Sequence, residues 1–473
     1  MIILSLNLVK LIQLNLNFIN LIKYFIINEI MLITNETQLI LYKFKKILVA
    51  YSGGIDSTVL LYNLIQLKKK YQIILRVIHI NHNLNVLSNN WLKTCMLQCK
   101  KWNVFFINKN VKIKKTNNIE KYARTKRYKI FQDIIKKDEV LVTAHNLDDQ
   151  CETFLLSLKR GSGPKGLSGM SKITILNNIK LFRPFLEITR HQIYTYAIKK
   201  KLNWIEDPSN KDIKYDRNFL RNVILPKITN RWSFFKNSVY RSSIICQEQE
   251  KLLTDLINPI LKKLIQENNS LLITPLYKFS IIKRNFILRK WIEYNKFYYM
   301  PSRKMLFIIW NEVICCKNNK NPQIKIGKYI IRKYKDYLYC VKYFDNLQNI
   351  LLKWDNLNIP FVLPNKLGKL IILNININYK NLSIYIRKPK IYEIIYIKFN
   401  ISGKYYLNNF KYKKNINDIW KNLLIPKWKR EQIPLLFYNN KFIADLENNL
   451  ITQEGKASLN KENNFFIFWE KKY

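Results

Sequence analysis

The seven cysteines of this 473-residue chain, at 95, 99, 151, 246, 315, 316 and 340, include no C-x-x-C pair. An odd count without such pairs excludes a disulfide framework, a zinc ribbon and an iron–sulfur cluster. It predicts a reducing compartment, the cytoplasm. Cys95 and Cys99 share a helical face and are expected in a core. Glycine is sparse as well, at 10 residues, so a cluster of it marks backbone that has to turn. A clean apolar run of about 20 residues, the length a spanning helix needs, is missing. Met1–Met31 comes nearest, but Asn7, Asn15, Asn17 and Asn20 break it, and it lacks the compact core and cleavage site of a signal peptide. Residues 1–30 read either as an interfacial helix or, preferably, as an upstream extension, which leaves Met1 and Met31 as alternative starts, and no stable membrane partner is expected.

Acidic residues are the remaining shortage. Lys plus Arg is 81 and Asp plus Glu is 32, a formal charge of +49. Such a surplus suits a polyanion, whose counterions are released on binding. A second source of lysine is mutational drift, since the abundant Ile, Asn, Lys, Tyr and Phe all have A/T-rich codons. What is plentiful is apolar: 48% hydrophobic and 14% aromatic residues can build real cores in about three domains.

From residue 44 strands and helices alternate. Phe44–Tyr51, Arg76–Asn81, Val104–Asn108 and Glu139–Ala144 read as strands. Ser57–Leu67, Trp91–Trp102, Ile119–Lys136 and Asp148–Lys159 read as helices. That order predicts an α/β doubly wound parallel sheet, with ligands beyond the carboxyl ends of its strands. Gly161–Gly169, the densest glycine cluster, is expected as a loop. Phe234–Asn268 and Ile281–Cys316 read as helical. From Leu351 short apolar runs split by Asn, Gly and Pro predict a small mixed α/β or β-rich end domain.

Five segments carry chemistry. The first is Ser52-Gly53-Gly54-Ile55-Asp56-Ser57-Thr58, between a strand and a helix. Glycines let backbone approach a phosphate, and the helix start offers free N–H groups. Ser52, Ser57 and Thr58 add hydroxyls, and Asp56 implies an intervening Mg²⁺. The loop is not a Walker A sequence. The second is Thr143–Thr153, where Asp149 and Glu152 share a helical face and suit Mg²⁺ between them. The third is Glu120-x-x-Ala123-Arg124-x-x-Arg127-Tyr128-x-x-Phe131, with arginines for carboxylate or phosphate. The fourth runs from Arg160 through Gly169 and Met170 to Arg183-Pro184. The fifth is Trp204–Asn210 with Asp216–Arg221: Glu206, Asp207, Asn210 and Asp216 can recognise an amine, and Arg217 and Arg221 can bind phosphate. Each of the last four has a plainer reading as paired surface charge or loop capping.

The first segment resembles the pyrophosphate loop of N-type ATP pyrophosphatases, which split ATP between its α and β phosphates. In this order, from about Ile47 to Pro226, all five resemble the tRNA(Ile)-lysidine synthetase family, long bacterial form. His79-Ile80-Asn81-His82 fits the family too, although Asn83 stands where Gly is usual. Pro301-Ser302-Arg303, Trp310, Pro426–Arg430 and Pro434–Phe437 resemble its later domains more weakly. The resemblance implies a PP-loop catalytic domain at 31–232, a mainly helical tRNA-binding domain at 233–348 and a C-terminal tRNA-binding domain at 349–473. It implies ATP, Mg²⁺, L-lysine and a tRNA(Ile) with a CAU anticodon as ligands. ATP would adenylate O2 of the wobble cytidine, and the lysine ε-amine would displace AMP to give lysidine. Ser52, Gly53, Gly54, Ile55, Asp56 and Ser57 would hold the nucleotide, and Asp56 and Asp149 the metal. Asp56, Asp149, Glu152, Arg124 and Arg217 would be catalytic. Arg127, Arg221, Glu206, Lys427, Trp428 and Arg430 would touch substrate or tRNA. A tRNA thiolase of the same loop class is disfavoured by the missing cysteine pairs. An amidoligase is disfavoured by the lack of an N-terminal cysteine or glutaminase pattern. A catalytically dead RNA-binding protein is disfavoured by the intact Asp56, Asp149 and Glu152.

Overall fold

The computed structural model describes residues 31–81, 87–111, 119–176, 178–295, 300–317, 321–373, 383–408 and 410–471. The chain divides into two compact units, Met1–Leu256 and Ile257–Tyr473. In the first, Lys46–Ala50 (β1), Ile74–Asn81 (β2), Phe105–Asn110 (β3), Glu139–Val142 (β4), Ile173–Leu176 (β5) and Ile179–Phe182 (β6) form one sheet, ordered β3-β2-β1-β4-β6-β5. All neighbours are parallel except β5 against β6. The expected doubly wound sheet is present, with an antiparallel hairpin strand added at one edge.

The unbroken apolar run of β1 follows from burial on both faces. Ile47 and Val49 enter one core and Leu48 the other. β4 divides the same way, Val140 and Val142 from Leu141. Successive side chains alternate faces, so a sheet covered on both sides needs apolar residues at every position. Truncating a fully buried leucine such as Leu48 to alanine costs about 2–5 kcal/mol. The helices Ile55–Lys70, Ser88–Lys101, Ile119–Ile134 and Leu147–Lys159 make the crossovers. Cys95 and Cys99 are fully buried, as expected. Strand order reverses between β1 and β4, so the loops after these two strands open onto one crevice. The glycine-rich segment 161–169 is not loop throughout, because Pro164 starts a short helix, Pro164–Leu167.

The second unit departs further from expectation. Its helices Ile281–Tyr294 and Arg303–Ile308, the latter running on as a wider turn through Ile314, share a core with a four-stranded antiparallel sheet. That sheet orders Leu271–Leu272, Tyr337–Lys342, Tyr329–Tyr334 and Gln323–Ile326. The segment read as mainly helical therefore ends in a meander, turned at Gly327 and Lys335, both at positive φ. Beyond it, among the described residues, lie three antiparallel sheets of five, four and two strands, the β-rich end that short split runs predict. The boundaries expected near 232 and 348 differ from the division at Leu256, which falls inside the long helix Phe235–Leu264. Residues 257–338 and 347–467 nevertheless bury separate cores. No helix among the described residues is long and apolar enough to cross a membrane.

Scarce glycine leaves a mark on the backbone. Among the described residues thirteen non-glycine residues have positive φ, seven of them Asn, against six glycines.

Candidate active site

The loop after β1 is built by its own hydrogen bonds. Ser57 Oγ donates to the Gly54 carbonyl at 2.9 Å and accepts from the Ser52 N–H at 3.2 Å. Thr58 Oγ1 donates to the Gly53 carbonyl at 3.2 Å. Both hydroxyls are buried and shape the loop, so of the three expected hydroxyl donors Ser52 alone is exposed. Gly53 holds φ +84°, and a Cβ there would lie 2.6 Å from Ile205 Cδ1 and 2.7 Å from Cys95 Sγ. Glycine is required at 53 for both reasons. Ile205 N–H also donates to the Gly53 carbonyl at 2.9 Å, which joins the fifth segment to the first. Gly54 caps the helix Ile55–Lys70 without a side chain. The first N–H groups of that helix, from Ile55 to Ser57, therefore have no intrahelical acceptor and suit a phosphate.

Asn146 connects this loop to the carboxylates. It caps the helix Leu147–Lys159 reciprocally: its Oδ1 accepts from Asp149 N–H, and Asp149 Oδ2 accepts from Asn146 N–H, both at 3.0 Å. Its Nδ2 donates to Asp56 Oδ1 at 3.0 Å. Asp56 and Asp149 are so brought together across 93 residues of sequence. Burial, and then the Asp149 charge, hold the Asp56 carboxyl above the usual carboxylate range, while Arg190, Asn146 and Arg221 partly offset them.

Between Asp149 and Glu152, where their spacing suggests Mg²⁺, the structure places a guanidinium. Arg221 fills that place, with Nη2 2.7 Å from Asp149 Oδ1 and Nε 2.6 Å from Glu152 Oε1. Those two nitrogens are thereby taken up by carboxylates, which corrects the assignment of Arg221 to phosphate through them. Glu152 is fully buried, and its Oε2 has no hydrogen-bond partner among the described residues. Burial raises its pKa, with the Arg221 charge opposing. Among the described residues no three His, Cys, Asp or Glu side chains form a metal cage. Mg²⁺ needs only one or two carboxylates beside phosphate oxygens and water. Asp56 and Asp149 fit that demand, since a cation would relieve the repulsion that raises Asp56.

A basic group faces His145, just beyond β4. The pKa of this imidazole is lowered by burial and then by Arg183, Arg127, Arg124 and Arg217, so the ring stays neutral. Its Nδ1 lies 2.8 Å from Thr143 Oγ1. Arg124 and Arg127 lie over the Tyr128 ring at 5.3 and 5.9 Å. Arg217 and Arg221 are four residues apart in one helical stretch, and the charges of both act on Glu152. Sequence reading thus missed Asn146, His145 and Arg183 as individual residues. The N-x-x-D spacing of Asn146 and Asp149 is a capping signature that marks the first of them.

Other expected residues lie elsewhere. Glu206 is exposed, 3.4 Å from Trp204 Nε1. His79 is buried, with Nδ1 2.9 Å from the Tyr51 carbonyl, and so supports the loop from behind. In the second unit Lys427 is exposed, but Trp428 is 4% exposed and packs on Tyr334, Tyr339 and Arg332. Arg430 donates to the Ile425 carbonyl at 2.8 Å. The expectation of RNA contact through Trp428 is corrected, because its ring serves the interior. His82, Asn83 and Asn85, the extension 1–30 and the side chain of Glu120 lie outside the described residues.

Comparison with known proteins places the chain by its domains. A PP-loop domain family matches residues 26–228, a TilS substrate binding domain 271–339 and a TilS substrate C-terminal domain 396–462. The tRNA(Ile)-lysidine synthase of Buchnera aphidicola subsp. Acyrthosiphon pisum is 45% identical over 404 residues, 85% of this chain and 90% of that one. That of Photorhabdus laumondii is 41% identical over 435 residues, 91% and 96% of the two chains. Among solved structures, the U34-tRNA thiolase NcsA of Methanococcus maripaludis aligns with 45% of this chain and 78% of its own, at 19% identity and a TM-score of 0.39, too slight a likeness to bear on function. The chain is a PP-loop enzyme that uses ATP, and it belongs to the tRNA(Ile)-lysidine synthase family.

Proposed function

We propose that this enzyme, in the cytoplasm, ligates free L-lysine to C2 of the wobble cytidine, position 34, of the tRNA(Ile) with a CAU anticodon. ATP is cleaved to AMP and pyrophosphate, and an adenylated cytidine is the intermediate. The observation that carries the reading is Asn146, which holds Asp56 of the nucleotide loop and caps the helix bearing Asp149 and Glu152. One residue thereby registers the phosphate seat against the carboxylates.

The roles follow from the chemistry. Ser52–Ser57 and the helix start behind it bind the pyrophosphate portion of ATP. Asp56 and Asp149 would hold Mg²⁺, which offsets phosphate charge when bound. Arg124, Arg127 and Arg217, around neutral His145, stabilise charge that develops on the α-phosphate and the cytosine oxygen. Adenylation turns that oxygen into a good leaving group. The lysine amine must then shed a proton before it attacks. Glu152 Oε2, buried and without a hydrogen-bond partner among the described residues, is the acceptor offered to the ammonium, and the raised pKa of Glu152 suits it to take the proton. Glu206 and Lys427 are exposed and available to lysine or RNA.

The test is direct. The enzyme is incubated with ATP, Mg²⁺, labelled lysine and unmodified tRNA(Ile) of CAU anticodon. Label entering the RNA is expected. Pyrophosphate release without label in the RNA would assign another nucleophile and overturn the proposal.

A further inference from the structure

Arg183 follows β6 and is used by none of the steps above. Its side chain is 5% exposed. A guanidinium stays charged when buried, so it needs acceptors on all its donors and an opposing charge nearby. The fold supplies little of either. Nη1 donates to the Ser171 carbonyl at 2.6 Å, a neutral acceptor, and Nε has no partner among the described residues. The neutral Tyr128 hydroxyl is its other hydrogen-bond partner, and the charge that acts on it most is the like charge of Arg124. The Tyr128 ring already lies beneath Arg124 and Arg127. Three arginines therefore gather about one tyrosine, close to His145. On the carboxylate side, by contrast, the half-buried guanidinium of Arg221 is held by both Asp149 and Glu152.

The location separates this group from the nucleotide loop. β6 pairs with β4, and β4 with β1, so Arg183 stands two strands from the loop after β1. At about 4.8 Å per strand that is roughly 10 Å. The N–H groups at the loop already offer a seat for the pyrophosphate portion of ATP. A second cationic seat at this remove, beside the residues that meet the reacting base, calls for a second anion.

We propose that Arg183 is a substrate-positioning residue, whose buried, uncompensated charge behind Arg124 draws a phosphate of the RNA backbone next to the reacting nucleotide. It fixes the base relative to His145 and takes no part in proton transfer. The inference rests on the proposed RNA substrate but not on lysine as the nucleophile.

The test uses the full-length enzyme with Arg183→Met, which keeps bulk without charge, and Arg183→Lys, which keeps charge without the fork. Affinity for unmodified tRNA(Ile) is measured at equilibrium without lysine, over a range of salt, alongside the KM for ATP in pyrophosphate release. Arg183→Met is expected to weaken tRNA binding about tenfold, the effect of losing one charge-assisted contact. The salt slope should fall by about 0.7–0.9, one phosphate contact. The KM for ATP should stay within about twofold, and Arg183→Lys should recover part of the affinity. Unchanged tRNA affinity and slope, or a rise confined to the KM for ATP, would overturn the proposal. If Arg183→Met does not fold, Arg183→Lys decides: full affinity with an unchanged slope and lowered thermal stability makes Arg183 a brace for Ser171 only. Failure of the unsubstituted enzyme to incorporate lysine would instead sink the functional reading and leave this one standing.

Discussion

The nucleotide loop Ser52–Ser57 and the basic turn Lys427–Arg430 are both short segments marked by their side chains, and the fold treats them in opposite ways. In the loop, Gly53 at φ +84° and the buried hydroxyls of Ser57 and Thr58 dictate a backbone that leaves the helix start open. In the turn, Trp428 enters a core beside Tyr334 and Tyr339, and Arg430 donates to a backbone carbonyl, so Lys427 and Lys429 are the residues left outside. A loop whose chemistry lies in its backbone is written locally. A surface whose chemistry lies in side chains depends on which face the rest of the unit covers.

Substitutions can break this contrast. Asp56→Ala should lower pyrophosphate release by about 10³-fold or more while tRNA binding persists, the scale of removing one electrostatic stabiliser. Retained release would dissociate the loop from catalysis. Trp428→Ala should destabilise the second unit by about 3–5 kcal/mol in denaturant unfolding, as for a buried aromatic ring. Weakened RNA binding with unaltered stability would return Trp428 to the surface. Gly53→Ala should cost about 1–3 kcal/mol and abolish ATP binding, because strain and a clash with Ile205 coincide there. An alanine variant that binds ATP normally would show that the loop tolerates a Cβ.

A smaller effect concerns pH. The Asp56 carboxyl is held above its ordinary value by burial and by Asp149. Only its ionised form binds a cation, so activity should fall on the acid side at a pH above the usual carboxylate range. Excess Mg²⁺ favours the ionised form and should move that limb to lower pH. A limb that ignores Mg²⁺ concentration would remove Asp56 from the metal site. Smallest of all, Lys427→Ala should leave stability within about 0.5 kcal/mol and reduce the salt slope of tRNA binding by about one. No change in slope would leave Lys427 out of the RNA interface.

The same contrast explains what sequence conveys. The β1–β4 framework is legible because two-sided burial demands continuous apolar runs, and Ile47, Leu48 and Val49 obey it. Asp56, Asp149 and Glu152 are legible as acids near a phosphate. That Arg221 sits between the latter two is not, since it lies 69 residues past Glu152 and only packing returns it. Asn146 is half legible: its cap is local, but its bond to Asp56 spans 90 residues. The antiparallel sheet at 323–342 is hidden because short strands rich in Tyr, Ile and Lys alternate weakly beside strongly periodic helices.

The left-handed turns carry one consequence beyond catalysis. Left-handed backbone costs an L-residue roughly 1–2 kcal/mol relative to glycine, less for Asn. Among the described residues thirteen such positions, against six glycines, each carry a small stability cost that glycine would avoid. Costs of that kind lie away from the chemistry, yet small losses matter, since the fraction unfolded in a cell rises steeply with them. Replacing several of the asparagines with glycine should raise thermal stability without touching a residue of the active site, checked by thermal unfolding.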